Sequence, residues 1–431
     1  MKKDVRPWLG GVVVSGALLV CGVPTLWADE SATAGLKAEI EVLKERLAKL
    51  ETQLGEGAIV PPTSGEGPAV VTLPSGLQGV QMSGFVDTTY TYSFNEPETN
   101  TNTLRVFDTR SNGFLINNAQ LTLDKSVSSE SPVGFKTVLM FGTDAEVVGN
   151  VTTGLGTNVS TGSDEVEVQQ GFVEYLAPLG NGLDLKAGKF ATLHGAEVIE
   201  AKDNWNISRS LLFGFAIPFT HTGLRATYPW TEWLLTCLGI NNGWDLVDDT
   251  NKAKTVELSA TVTPMDGVSL TSTYMVGAEQ AGDNTNQRHL LDLVASWQPT
   301  EALQLKLNYD YGNEDDAAGA DDNAVWQGLA AYARYAFNDR ASLALRGEFL
   351  NDADGVRTAF NTGTGINSVV DDDIKLYEFT LTGEYKIHEH LIGRLEYRHD
   401  TANAAVFVGD DATVGNKSYQ DTIALQFIAP F

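Results

Sequence analysis

From residue 81 onward, segment after segment alternates apolar and polar residues one for one, and the last such segment runs to the final residue, Phe431. Successive side chains of a strand point to opposite faces, so a period of two gives one apolar and one polar face. In LKLNYDY, Leu305, Leu307, Tyr309 and Tyr311 oppose Lys306, Asn308 and Asp310. Leu343, Leu345 and Phe349 oppose Arg346 and Glu348, and Tyr377, Phe379, Leu381 and Tyr385 oppose Glu378, Thr380, Thr382 and Glu384. Leu391, Leu395 and Tyr397 oppose Arg394, Glu396 and Arg398. At the end of the chain, Ile423, Leu425 and Phe427 oppose Thr422 and Gln426. No long stretch of helical period interrupts this pattern.

The connections alternate in length. Short ones read SVSSES, PLGNG, PWTE, PMDG, PTEA, NDR and IHE. Long ones lie near 96–112, 144–165, 193–217, 245–253, 280–287, 313–324, 353–373 and 403–416. Seven short turns and eight long loops imply sixteen strands, at about 22 residues per strand and connection, which suits membrane strands of about 9–11 residues. Even strand number with short turns at one end and long loops at the other marks an outer-membrane barrel. Lipid cannot satisfy an open sheet edge, so such a sheet must close. The expected fold is therefore all-β, a closed antiparallel transmembrane β-barrel of about sixteen strands. Its last strand is expected to pair with the first, near Gly84 to Phe94. Aromatic girdles are expected at Tyr228, Trp230, Trp233, Trp297, Phe337 and Tyr385 beside short turns. A second girdle is expected at Tyr92, Phe94, Trp244, Tyr274, Tyr311 and Trp326 beside long loops. A soluble sandwich or β-helix would alternate too, but has no reason to bracket its strands with aromatics.

Ahead of the barrel, Lys2, Lys3 and Arg6 precede the apolar run WLGGVVVSGALLVCGV, then Pro24 and the small Ala28. This reads as a secretory signal peptide over 1–28, its core too short to span a bilayer. Val20 before Cys21 does not fit a lipidation site. Leu36, Ile40, Leu43, Leu47, Leu50 and Leu54 form a heptad seam, so 29–54 reads as an oligomerising coiled-coil helix, in the periplasm. The segment 55–80 is a Gly/Pro-rich linker, and the barrel covers 81–431.

The chain carries a formal net charge of −27. Removing Lys2, Lys3, Arg6 and Asp4, a net +2, leaves −27 − 2 = −29. So acidic an exported chain is a poor nucleic-acid binder. Cys237 is the one cysteine outside the signal, so no disulfide framework or cysteine zinc site is available.

A sixteen-stranded barrel is wide enough to hold an aqueous channel. Alternation places Lys186, Arg225, Lys306, Arg334, Arg346, Arg394 and Arg398 on its inner wall. Asp184, Asp310, Glu348, Glu378, Glu384 and Glu396 share that wall. The third long loop, about 193–217, mixes Glu197, Glu200, Lys202, Asp203 and Arg209 with LLFGFAIPF, too apolar for a solvated loop. Folding into the barrel would cover it and set those charges at a constriction; packing on a neighbouring subunit is the alternative.

That loop and its flanks also carry a resemblance. Gly188, Lys189, Phe190, Gly195, Glu197, Asn206, Ser208, Arg209, Ser210, Phe215, Pro218, Phe219, His221, Thr222, Gly223, Arg225 and Tyr228 stand in an order that resembles the OmpL-like β-barrel porin family. GFVDTTYTYSFN and NNAQLTLDK look similar to it as well, so the resemblance covers most of 81–431. It implies an outer-membrane channel and fixes no solute. The closing alternation, with Phe427 and Phe431, resembles the signal read by the outer-membrane barrel assembly machinery; Pro430 departs from its commonest form.

Acidic runs at 314–322, 371–373 and 409–411 suit a solvated surface or divalent cations bridging lipopolysaccharide. His388 and His390 beside Glu389 read as turn chemistry, and no glycine segment has the lysine and helix of a phosphate loop. His194, His221, His289, His388, His390 and His399 are scattered, so nothing selects a catalytic triad. The expectation is a non-enzymatic porin passing ions and small polar solutes, without cofactor or metal. Its partners would be lipid, lipopolysaccharide and further copies, as a trimer. The alternative is a barrel-anchored adhesin or receptor working through acidic loops.

Overall fold

The computed structural model describes residues 79–150, 166–319, 321–358, 373–409 and 415–431. The expected signal peptide, coiled coil and nearly all of the linker lie outside the described residues. So do most of the acidic runs near 371 and 410.

Sixteen strands form the wall. They are β1 (Gln81–Ser93), β2 (Gly113–Lys125), β3 (Val133–Phe141), β4 (Val166–Ala177), β5 (Leu183–Ala191), β6 (Thr220–Thr231), β7 (Leu234–Asn241) and β8 (Thr255–Met265). There follow β9 (Val268–Ala278), β10 (Gln287–Trp297), β11 (Leu303–Gly319), β12 (Asp322–Ala336), β13 (Ala341–Asp352), β14 (Ile374–His388), β15 (Leu391–Ala402) and β16 (Tyr419–Pro430). Each pairs antiparallel with its sequence neighbours, and β1 pairs with β16, so the sheet is a closed barrel. A helix, α1 (Thr143–Asn150), leads the β3–β4 connection.

Closure answers the question set by the chain's last residue. Phe85 faces Pro430 and Ser93 faces Thr422 across the seam. Gly84 and Phe431 exchange backbone hydrogen bonds of 3.1 and 3.0 Å. The Phe431 ring lies where a Gly84 side chain would be, since an added Cβ would come within 2.4 Å of it and 2.2 Å of the Gln120 carbonyl.

Alternation places the core. Val173, Leu224, Leu307, Leu329, Phe379 and Leu395 are exposed, whereas their sequence neighbours Phe172, Arg225, Asn308, Ala330, Glu378 and Arg394 are buried. The exposed apolar side chains form the outer belt that lipid would cover. The buried polar ones face the interior of the barrel.

Two expectations are corrected. The segment 313–324 is not a loop: β11 runs into it as far as Gly319 and β12 leaves it from Asp322, paired as one long hairpin. Pairing slips after Glu314–Ala324 and resumes at Gly319–Asp322. Asp316, Gly319 and Asp321 take up the slip in positive-φ conformations, which Asp and Gly tolerate. Asp315 and Asp316 then bond Asn323 across the hairpin, so the acidic residues join the ladder. Second, Trp244 and Trp326 are not girdle residues. They are buried at 4% and 0% exposure and meet edge to face at 6.2 Å. Trp326 shares parity with inward Ala330 and Arg334, not with outward Leu329 and Tyr335. The other named aromatics beside short turns include Trp230, Trp233, Trp297, Phe337 and Tyr385, all exposed.

Replacing Gly84 by Val should displace the Phe431 ring and open the β1–β16 seam. The expected result is a large drop in the folded, heat-modifiable fraction on unboiled gels, with Gly113→Val, which would meet only the Ser111 carbonyl at 3.9 Å, affecting the barrel far less.

Candidate functional site

The connection between β5 and β6, residues 192–219, crosses the barrel interior. Its backbone is held by carboxyl groups on the far wall and, where it enters β6, by one from the neighbouring β7–β8 connection. Glu396 of β15 accepts the N–H groups of Ile207 and Ser208 at 2.6 and 2.9 Å. Glu348 of β13 accepts those of Leu211 and Leu212 at 2.7 and 3.2 Å. Asp245, after β7, accepts those of Phe219 and Thr220 at 2.6 and 2.8 Å. Within the loop, Glu197 accepts Ser210 N–H at 2.7 Å. An irregular chain inside a protein must place every N–H and C=O somewhere. Here carboxyl acceptors on β13 and β15 and in the β7–β8 connection do it.

The carbonyls are matched by arginines. Arg346 donates to Ser208 O at 2.7 Å, Arg394 to Ala201 O at 2.8 Å and Arg398 to Arg209 O at 2.6 Å. Trp326 Nε1 donates to Ala216 O at 3.1 Å. Arg346 also pairs with Glu197 at 2.8 Å and Glu378 at 3.0 Å, and Arg398 with Asp400 at 2.7 Å. These groups are all buried.

The apolar part of the loop is packed, not solvated. Leu211, Leu212, Phe213, Phe215, Ala216, Ile217 and Phe219 join one cluster inside the barrel mouth. A π-helical turn, Leu212–Ala216, presents these side chains on several sides at once. Leu104 and Phe107 from the β1–β2 connection and Ala145 and Val148 of α1 belong to the same cluster, with Val406 and Phe407 from the β15–β16 connection. Phe107 lies 5.9 and 5.4 Å from the rings of Phe213 and Phe219. Sequence reasoning missed these partners, although the apolar pairs within otherwise polar loops, such as Val406–Phe407, were a visible signal.

The singled-out charges thus divide. Glu197 and Arg209 are buried: Arg209 stacks on Phe107 at 4.8 Å, donates to the Ile207 and Ile199 carbonyls, and lies 3.7 Å from Asp144. Arg225 lies bidentate on Glu257, Asp310 faces Asp292 and Asn308, and Arg346, Glu348, Arg394, Glu396 and Arg398 are covered by the loop. Accessible surface is left on Lys186, Glu200, Lys202, Asp203, Lys306, Arg334 and Glu384. Lys186 pairs with Glu174 at 3.1 Å, Lys202 with Asp203 at 2.6 Å and Arg334 with Glu384 at 3.3 Å.

His194, His221 and Glu257 converge at the root of the loop, their ligand atoms within 4.8 Å of one another. The donor set suits a transition metal, but the Arg225 guanidinium holds both oxygens of Glu257, at 3.2 and 2.9 Å. A divalent ion would add charge beside that cation in a site without solvent. Thr192 Oγ1 lies 3.0 and 3.2 Å from the two rings, and burial lowers the His194 pKa to about 3, so its ring is neutral. We read the cluster as a tie between the loop root, β6 and β8.

Burial pushes the Asp144 carboxyl of α1 up to about 8, against the pull of Arg209. A raised acid pKa means the folded state holds a proton that the unfolded state has released. Stability from this group is therefore full below the ordinary Asp value near 4 and falls as pH rises toward 8. Docking of α1 should loosen across that window, seen as faster limited proteolysis of the β3–β4 connection, and Asp144→Asn should flatten the dependence. Arg346→Met should cost about 3–5 kcal/mol by stranding buried carboxylates, measured by reversible urea unfolding in detergent or lipid.

Residues 79–431 match the family described as "Putative beta-barrel porin-2, OmpL-like". No curated protein matches the chain. Among solved structures, the anion-selective porin of Comamonas acidovorans superposes with a TM-score of 0.55 at 10% identity, covering 82% of this chain and 99% of that one. The outer membrane channel DcaP of Acinetobacter baumannii gives 0.54 at 11%, covering 82% and 97%. OmpT of Vibrio cholerae, an outer membrane protein solved in a trimer form, gives 0.53 at 11%, covering 82% and 99%. At these identities the likeness is one of fold.

Proposed function

The chain belongs to the OmpL-like beta-barrel porin-2 family and is an outer-membrane porin, and we propose that its conduction path is set by the loop over 192–219. The carrying observation is that this loop crosses the interior and is fastened to β13, β14 and β15 opposite its root. The buried charges Glu197 and Arg209 hold the loop's shape. Its water-facing charges, Glu200, Lys202 and Asp203, border the path, with Lys186, Lys306, Arg334 and Glu384 on the wall below. Ions and small polar solutes pass there by diffusion, and no step of the reading requires a catalyst or a cofactor.

Single-channel recording of the full chain in a planar bilayer under a salt gradient tests this. Discrete current steps are expected. The double exchange Lys202→Glu, Arg334→Glu should move the reversal potential toward cations. An unchanged reversal potential would place the ion path elsewhere.

The reading includes an oligomer, and strand length supports it. β3 and β5 have nine residues and β7 has eight. Tilted by about 40°, such strands rise roughly 21–24 Å, less than the apolar band of about 25 Å. Packing this low stretch of wall against further copies, as a trimer, would shield it from mismatched lipid. Leu224, exposed on β6 within it, is the probe. Leu224→Arg should lower the mass of the detergent-solubilised particle by light scattering while leaving the barrel heat-modifiable. The terminal Phe427 and Phe431 would serve as the signal for insertion by the assembly machinery.

A further inference from the structure

Below the loop, at the short-turn end of the barrel, lies a cavity of about 680 Å³. That is within the range of small-molecule sites. Strand register builds its wall. Ser269 of β9 faces Ser296 of β10, and Ser296 faces Lys306 of β11. Gln304 stands two residues before Lys306 on the same face, Trp205 of the loop borders the recess, and the girdle residues Trp233 and Trp297 stand at its open rim.

Lys306 is the unusual member. Lys186, Lys202 and Arg334 each have a carboxylate partner. Lys306 makes no ion pair among the described residues; its ammonium lies 4.5 Å above the Trp205 ring and donates to Ala196 O at 3.2 Å. An ammonium carries three donors, so one is accounted for and the others face a cavity walled by hydroxyls and an amide. A half-buried cation without a directly bonded counter-charge is costly to hold, and Glu197, the carboxylate that acts on it, is already paired with Arg346 at 2.8 Å. Contact with an aromatic face offsets part of that cost, and an incoming anion would offset the rest. Glu232 and Asp266 of the cavity rim are exposed on the short turns, where water screens them.

We propose that this cavity is a solute subsite for an organic anion with a flat, apolar body. The carboxylate docks on Lys306 and the neighbouring hydroxyls, and the body lies against Trp205. The proposal rests on the porin reading, because Ser269, Ser296, Gln304 and Lys306 stand on the inward face of their strands.

Equilibrium dialysis of benzoate against the folded full chain in detergent tests it without requiring conduction. Acetate, which lacks the ring, and benzyl alcohol, which lacks the charge, are the comparators. Saturable benzoate binding is expected, stronger than either comparator. Lys306→Gln should weaken it by about tenfold or more, the scale of a lost charged hydrogen bond, and Lys306→Arg should keep most of it. Trp205→Leu should weaken benzoate binding and leave acetate unchanged. Absence of saturable binding, or equal binding by the wild type and the Gln variant, would overturn the subsite. Bilayer currents from the same preparations separate the two ideas. Binding without current sinks the channel and keeps the site; current without binding keeps the channel and sinks the site.

Discussion

Glu348 and Glu396 project from the inner wall and each takes two backbone N–H groups, of Leu211 and Leu212 and of Ile207 and Ser208, that the loop's own short helical turns leave unmet. The rest of the lumen depends on that arrangement. The acceptors stand on strands whose positions are fixed by closure, so the loop inherits the rigidity of the barrel. Arg346 and Arg398 lie among the same carboxylates and bond the loop's carbonyls, which keeps the buried charges paired. Removing one member would leave its partners charged and dry.

The second consequence is a division along the barrel axis. Toward the long loops, the β5–β6 segment packs with Phe107, α1 and Phe407 into an apolar core. Toward the short turns, charged side chains keep accessible surface around Lys306, Arg334 and Glu384. A barrel wide enough for a broad water column is thereby narrowed by protein packed at interior density. Charges that read from sequence as a wet wall are mostly the fastenings of the loop. A smaller set faces water, and selectivity belongs to that set.

Much of this was legible in the chain. Period-two alternation determined the strands, because side-chain direction in a strand is local geometry. Alternating connection lengths determined the strand count, and the terminal alternation pointed to the β1–β16 seam. The apolar LLFGFAIPF determined that its loop must be covered. Two misreadings share a cause. Nearness to long connections does not make Trp244 or Trp326 a girdle residue, and the spacing of connections does not show that 313–324 is paired, since strand parity decides Trp326 and hairpin pairing decides that segment.

What only the tertiary structure decided is which wall groups meet the loop. Glu197 contacts Arg346 across 149 positions, and Ile207 N–H meets Glu396 across 189. No period in a sequence encodes partners so far apart. The identity of the charges is written along each strand, but which stay wet depends on where the loop lands once the barrel closes. Lys306 shows the difference: alternation turned it inward, and only the fold set it over Trp205 beside an open cavity.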